Sequence, residues 1–344
     1  MTMPPPKMMP AYRITDWGEA PALVEVSVPE PGPGEVRVRV AGCGLCHSDL
    51  TMVTMTGEIG QALGWRVPFT LGHEVAGWVD GVGPGVADVF EHLVNGTPVA
   101  VVAAGSCGTC AACVAGHQSR CPSGITGRGY GRDGGLAGWV VAPAADLVVL
   151  GGALDPALSG PFTDAGATSM HAVERVLPAL ADGSSVAVIG VGGLGSLALQ
   201  ILAALTPARI TAVDLDPVRR EASLAAGAHR AVDQLDAKFD AIIDIVGDDA
   251  TISASMKRLA EGGAYVLVGA ERGGLRGAWW DRLPREAMIT RIQGSSRRHV
   301  ERVVALAAEG RVRIETRSFT LDHVADAYAA LESGSLVGRA VVHP

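Results

Sequence analysis

From the N-terminus to about residue 160, apolar residues come in short bursts that alternate or run together and then break at glycine or proline. EVRVRVAGCG (35–44) and VAGWVDGVG (75–83) are examples. Such punctuated runs predict strands joined by long loops, and hence a small β-barrel. From about residue 166 the period changes. VAVIG, RITAVD, DAIIDIV and AYVLVGA predict strands, while LGSLALQILAAL, DPVRREASLAAG and ATISASMKRLAEG between them predict helices. That alternation predicts a parallel sheet with helices on both faces, so the chain is of the α/β class. After about residue 294 the pattern gives a helix over RRHVERVVALAAEG and a last strand in GRAVVHP. No internal repeat or low-complexity tract interrupts this order.

Composition narrows the picture. With 344 residues, 48 % hydrophobic and 19 % charged, the chain can bury two ordinary cores and is not a disordered polymer. A net charge of -8 argues against a nucleic-acid surface. No apolar run is long enough to span a membrane, and MTMPPPKMMP lacks the apolar stretch of an export signal. Cytoplasmic residence with reduced thiols is therefore expected. One local departure is the eight arginines from Arg272 to Arg302. They read either as a solvated face or subunit contact, or as a dock for a phosphorylated substrate.

Four of the six cysteines fall in CGTCAACVAGHQSRC, at Cys107, Cys110, Cys113 and Cys121. This spacing lets four thiolates converge on one tetrahedral ion, which is the pattern of a closed structural zinc site. Two disulfides within so short a loop would be strained. In VAVIGVGGLGSLALQ, Gly190, Gly192 and Gly195 form a GxGxxG turn between strand and helix, with Gly193 inside it. Backbone amides and the helix N-terminus there suit a pyrophosphate. Asp214, ending the next strand, is placed to accept from ribose hydroxyls and to repel a 2′-phosphate, which predicts NAD over NADP.

Two clusters remain, GCGLCHSDL (42–50) and TLGHEVAGWVDGVG (70–83). Cys46 and His73 are residue types zinc favours, and Asp49 and Glu74 are carboxylates of the kind that orient a ligating histidine. Singly, Cys46 reads equally as a small core residue and His73 as a buried, hydrogen-bonded one.

These two clusters, the four-cysteine loop and GVGGLG, in that order, resemble the zinc-dependent medium-chain alcohol dehydrogenases. The resemblance is closest to the bacterial NAD-dependent secondary alcohol dehydrogenases and covers the chain from about residue 12 onward. It implies a GroES-like β-barrel catalytic domain, 1–165 with 294–344, split by an inserted Rossmann coenzyme domain, 166–293. It implies a catalytic zinc on Cys46, His73 and a third ligand that in most relatives is a cysteine. Here FTDAGATSMHAV puts Asp164 at that position, with Glu74 as the competitor.

By the same resemblance Ser48 passes the substrate proton, His47 and Arg339 meet the pyrophosphate, Thr168 lines the nicotinamide and Arg219 flanks the adenosine ribose. Asp49 supports a zinc ligand from behind. Thr51 stands where many relatives have the histidine that ends the proton relay. The implied cofactors are NAD and two zinc ions per chain, and the implied assembly is a homodimer or homotetramer acting on a small alcohol or ketone. Trp65, residues 103–106, Trp279 and Trp280 are the side chains expected to shape the substrate pocket. Two further readings stay open. One is a dehydrogenase of a larger cyclic substrate such as an alicyclic hydroxyacyl-CoA; the other is a non-catalytic dinucleotide-binding protein.

Overall fold

A computed structural model of the chain describes residues 5–275, 277–336 and 338–344, apart from the side chain of Trp279. The chain divides into two compact units. The first runs to Asp164 and takes in Ser295–Val304 and Ile314–Pro344; the second comprises Ala165–Gly294 and Ala305–Arg313. The stretch Ala305–Arg313, which the sequence boundaries assign to the first part, thus belongs to the second.

In the first unit the central strand is Glu35–Gly44, which pairs antiparallel with Glu74–Val82, Trp139–Pro143 and Arg339–His343. Val36, Val38 and Val40 point into the core, as β-branched residues at period two should. Arg37 lies between them in sequence and pairs with Asp80 at 3.3 Å and Glu30 at 2.9 Å. Strands Pro98–Val101, Leu147–Val149 and Thr316–Thr320 complete this seven-stranded sheet. A second sheet of three strands joins Ala22–Ser27, Met8–Ile14 and Phe69–Thr70. One apolar core, including Ile14, Leu45, Phe69, Leu71 and Leu136, packs this unit.

The second unit carries a six-stranded, wholly parallel sheet among the described residues. Its order is Arg230–Val232, Arg209–Val213, Ser185–Ile189, Phe239–Asp244, Leu259–Leu267, Met288–Arg291. In sequence order this is 3-2-1-4-5-6, the doubly wound dinucleotide-binding topology, which reverses direction beside the first strand. Helices Gly193–Leu205, Pro217–Ala225 and Asp249–Arg258 make three of the crossovers. Asp216 caps the second of these, accepting from Val218 N–H at 2.8 Å, with Pro217 at the first helical position. Asp248 caps the third through Thr251.

That third helix is shorter than its pattern suggests. It stops at Arg258, and Leu259, read from sequence as helical, already pairs with Phe239 in the sheet. Gly262 and Gly263 lower helix propensity beyond it, and burying Leu259 completely in the core outweighs the helical period. No helix among the described residues is long and apolar enough to cross a membrane.

Candidate active site and metal centres

The register of the first sheet builds the site. Gly44 faces Glu74, so the turn leaving one strand lies against the start of the other, and Cys46 comes to sit near His73. A side chain at position 44 would meet Glu74 Oε2 at 2.0 Å, so only glycine permits this approach. Cys46 caps the helix His47–Val53, and Asp49 in its first turn accepts from Cys46 N–H at 3.0 Å. The other oxygen of Asp49 lies 3.0 Å from His73 Nδ1, with both side chains fully buried. A carboxylate there holds the proton on Nδ1 and turns the lone pair of Nε2 outward, the arrangement usual behind a metal-bound imidazole.

Asp164 follows the short turn Gly160–Thr163, which packs on the carbonyl of Glu74. Asp164 Oδ2 lies 3.6 Å from Cys46 Sγ and 3.3 Å from His73 Nε2. A tetrahedral zinc with ordinary bond lengths would separate sulfur from oxygen by about 3.5 Å and nitrogen from oxygen by about 3.3 Å. The residues present therefore fit that ion. Glu74 belongs to the same cluster, whose ligand atoms all fall within 4.8 Å of one another. Its carboxylate is also ion-paired with Arg339. Burial pushes the Glu74 carboxyl up to about 7, against the opposing pull of Arg339.

Arg339 is itself only 6 % exposed. The structure places it with Glu74, where the resemblance would have it reach a phosphate. Ser48, in the first turn of the same helix as Asp49, is half-buried, and its Oγ lies 2.8 Å from the phenol of Tyr130. His47 and Thr51 are exposed on that helix. Tyr130 was not legible as a site residue, since it stands 82 positions from Ser48 with no motif around it. Trp65 is buried in the core, donating to Thr126 Oγ1 at 3.1 Å, and Trp280 is exposed. The side chain of Trp279 and all of Arg276 lie outside the described residues.

The four cysteines of 107–121 converge as their spacing predicts. Their sulfurs lie within 4.8 Å of one another, with 3.9 Å between Cys107 and Cys113. Zn–S bonds of about 2.3 Å would set neighbouring sulfurs roughly 3.8 Å apart. None of the four is bridged. Hydrogen bonds from the Thr109 and Cys110 amides pull the Cys107 thiol down to about 6, whereas burial pushes Cys113 up to about 11. Four converging thiol sulfurs are the donor set that a soft or borderline metal ion such as zinc suits.

In the second unit, Gly190 has φ +81, and a side chain at Gly195 would meet the carbonyl of Gly190 at 2.0 Å. The first glycine makes the turn and the last lets the helix close on the strand. Gly192 caps the helix that starts at Gly193. Asp214 is half-buried at the end of the next strand, accepting from Val191 N–H and Asp216 N–H, each at 2.9 Å. Arg219 reaches toward Gly192 and lies 3.6 Å from Asp216. Thr168 is buried in the helix Ala165–Val176. The clustered arginines divide between the units, and several are engaged: Arg285 with Glu261, Arg291 with Gln293, Arg297 with Glu301.

Comparison with known proteins agrees with this architecture. Residues 32–151 match the alcohol dehydrogenase GroES-like domain, and residues 223–342 the zinc-binding dehydrogenase domain. The chain is 30 % identical to a D-arabinose 1-dehydrogenase (NADP(+)) of Saccharolobus solfataricus, over 97 % of each chain. An NAD-dependent alcohol dehydrogenase of the same organism is 30 % identical over 98 % of this chain and all of its own. The crystal structure of the alcohol dehydrogenase of Aeropyrum pernix superimposes with TM-score 0.87 at 31 % identity, covering 97 % of this chain and 100 % of that one. With a GroES-like unit, a Rossmann unit and this similarity over nearly its whole length, the chain belongs to the zinc-binding alcohol dehydrogenase family.

Proposed function

We propose that the protein is a zinc-dependent dehydrogenase that moves hydride between an alcohol, secondary by preference, and NAD, reversibly forming a ketone from a secondary alcohol or an aldehyde from a primary one. The observation that carries this reading is the convergence of Cys46, His73 and Asp164 at zinc-binding separations, with the Ser48 hydroxyl beside them. When bound there, zinc would supply Lewis-acid polarisation of the substrate oxygen, and NAD would supply the hydride acceptor. The chain supplies the rest. Asp49 fixes the tautomer of His73, Ser48 takes the hydroxyl proton of the substrate outward, and the buried surroundings exclude bulk water. A second zinc on the four cysteines holds its loop and leaves no open position for chemistry.

The test is NAD reduction across primary, secondary, cyclic and CoA-linked alcohols. Turnover with simple secondary alcohols supports the reading. Turnover confined to the CoA-linked substrate would transfer it to the larger cyclic class.

For the cofactor, Asp214 supports NAD, since a carboxylate just past the second parallel strand would repel a 2′-phosphate bound there. Related enzymes use either form, so the test is direct. kcat/KM should favour NAD over NADP. Asp214→Gly should shrink that preference by at least about fivefold, because like charges about 4 Å apart repel by about 1–4 kcal/mol near a surface. A parent enzyme that prefers NADP would mean that Arg219, not Asp214, governs the ribose site.

Assembly as a homodimer or homotetramer is part of the same proposal. It draws support from the edge strand Met288–Arg291, where Met288 is 49 % and Ile289 38 % exposed, an apolar sheet edge of the kind that pairs with another chain. Light scattering should give two or four times the chain mass. A monomer at micromolar concentration would overturn it.

A further inference from the structure

Tyr130 is unusually well fixed for a loop residue. It lies between Gly129 (φ +71) and Gly131 (φ +76), both in the left-handed region. A side chain at 129 would strike the backbone of Gly72 at 2.8 Å, and one at 131 the ring of Trp65 at 2.6 Å. Backbone bonds join Tyr130 and Gly127 in both directions, at 2.9 and 3.0 Å. The ring rests on His73, with centroids 4.5 Å apart, and touches Trp65 at 6.2 Å. Held this way, its hydroxyl lies 2.8 Å from Ser48 Oγ and 3.1 Å from His73 Nε2.

The hydrogen-bond inventory then says what that hydroxyl is for. A phenol has one proton to donate, and Ser48 has one as well. His73 commits its Nδ1 proton to Asp49, so Nε2 offers a lone pair. A lone pair given to a metal ion is no longer available to a hydroxyl. With the metal held, the proton of Tyr130 has Ser48 Oγ and the substrate oxygen as its partners.

Resting on the dehydrogenase reading above, we propose that Tyr130 is a second hydroxyl of the substrate site, orienting Ser48 and sharing with it the hydrogen bonding of the substrate oxygen. The pair does two things a lone serine cannot. It fixes the Ser48 rotor toward the reacting oxygen, and it keeps one donor on that oxygen while the serine proton is in transit. The pairing also places a rigid ring beside the oxygen, so it limits the bulk that a substrate can carry on that side.

The experiment compares the zinc-loaded parent with Tyr130→Phe, Ser48→Ala and the double variant. Phenylalanine keeps the ring against Trp65 and His73 and removes only the hydroxyl. Two readouts are taken: calorimetric affinity of the NADH complex for isobutyramide, whose carbonyl oxygen mimics that of a ketone, and kcat/KM for 2-butanol. Tyr130→Phe should keep its zinc and its NADH affinity while losing about tenfold in amide affinity and in kcat/KM, the scale of one buried hydrogen bond. The double variant should lose less than the product of the two single losses, because both hydroxyls serve one oxygen. Amide binding and turnover of Tyr130→Phe within twofold of the parent would overturn the proposal, as would losses that simply multiply. Loss of zinc from Tyr130→Phe would also overturn it, by making the tyrosine a support for the metal. A parent that neither binds the amide nor reduces NAD removes the dehydrogenase reading itself. An active parent with an indifferent Tyr130→Phe removes only this one.

Discussion

Replacing Asp164 by alanine should abolish alcohol-dependent NAD reduction, by on the order of 10²–10³ or more, the scale seen when a group that stabilises transition-state charge is removed. The argument is one of ligand number. Zinc in a catalytic site takes three protein ligands and keeps a fourth position open. Here Cys46 and His73 supply two, and Asp164 Oδ2 lies at ligand separation from both. Glu74 is the alternative, but its carboxylate is committed to Arg339 in a buried ion pair. That pair uses Oε1, so Glu74 competes for the metal only through Oε2, and the metal count decides between the two carboxylates. Metal analysis should therefore give about two zinc ions per parent chain and about one in Asp164→Ala, one for each site the donor sets define. Asp164→Cys, which restores a charged ligand of the softer kind, should recover the metal and part of the activity. If Asp164→Ala keeps both metals and turns over, Glu74 is the third ligand and the site is built differently.

The residues that were legible in sequence share a property. Cys107 to Cys121 and Gly190 to Gly195 each do their work within one short stretch, so spacing alone constrains their geometry. The parallel sheet was legible for a similar reason, since each strand–helix unit announces itself by its own period. What could not be read is what antiparallel pairing brings together at long range. Arg339 meets Glu74 across 265 positions, because the last strand pairs beside Gly44. Tyr130 meets Ser48 across 82. Nothing local to either residue encodes its partner. The same holds for Leu259, where the helical period ran on and a cross-strand partner, Phe239, decided otherwise. The arginines between Arg272 and Arg302 were read as a solvated face, a subunit contact or a phosphate dock, and sequence density does not choose among these; Arg285, Arg291 and Arg297 pair with Glu261, Gln293 and Glu301.

Cys110→Ser should cost the protein one zinc and the order of its 107–121 loop, while leaving the Cys46 site filled. Within that loop the only buried side chains are Cys113 and Cys121; Val114, its largest apolar residue, is 77 % exposed. The sulfurs are thus the loop's main buried cluster, and once the ion is gone it keeps little apolar packing beyond its tether from Ser119 N–H to Ser296 Oγ at 3.2 Å. Structural zinc is worth on the order of 10 kcal/mol in an isolated finger, where folding and binding are one event. Here the rest of the unit has its own apolar core, so much of that free energy would be lost locally, as opening of the loop, with a smaller fall in the global melting temperature. The measurements are zinc content, thermal melting and limited trypsin digestion, with cleavage expected at Arg120, an exposed residue just before Cys121. In the parent that site should resist trypsin until a chelator is added, and in the variant it should be cut from the outset. Alcohol turnover per zinc retained should change little, since this donor set is closed and touches no substrate. A variant with unchanged zinc content and a protected Arg120 would show that the loop is held by something other than the metal.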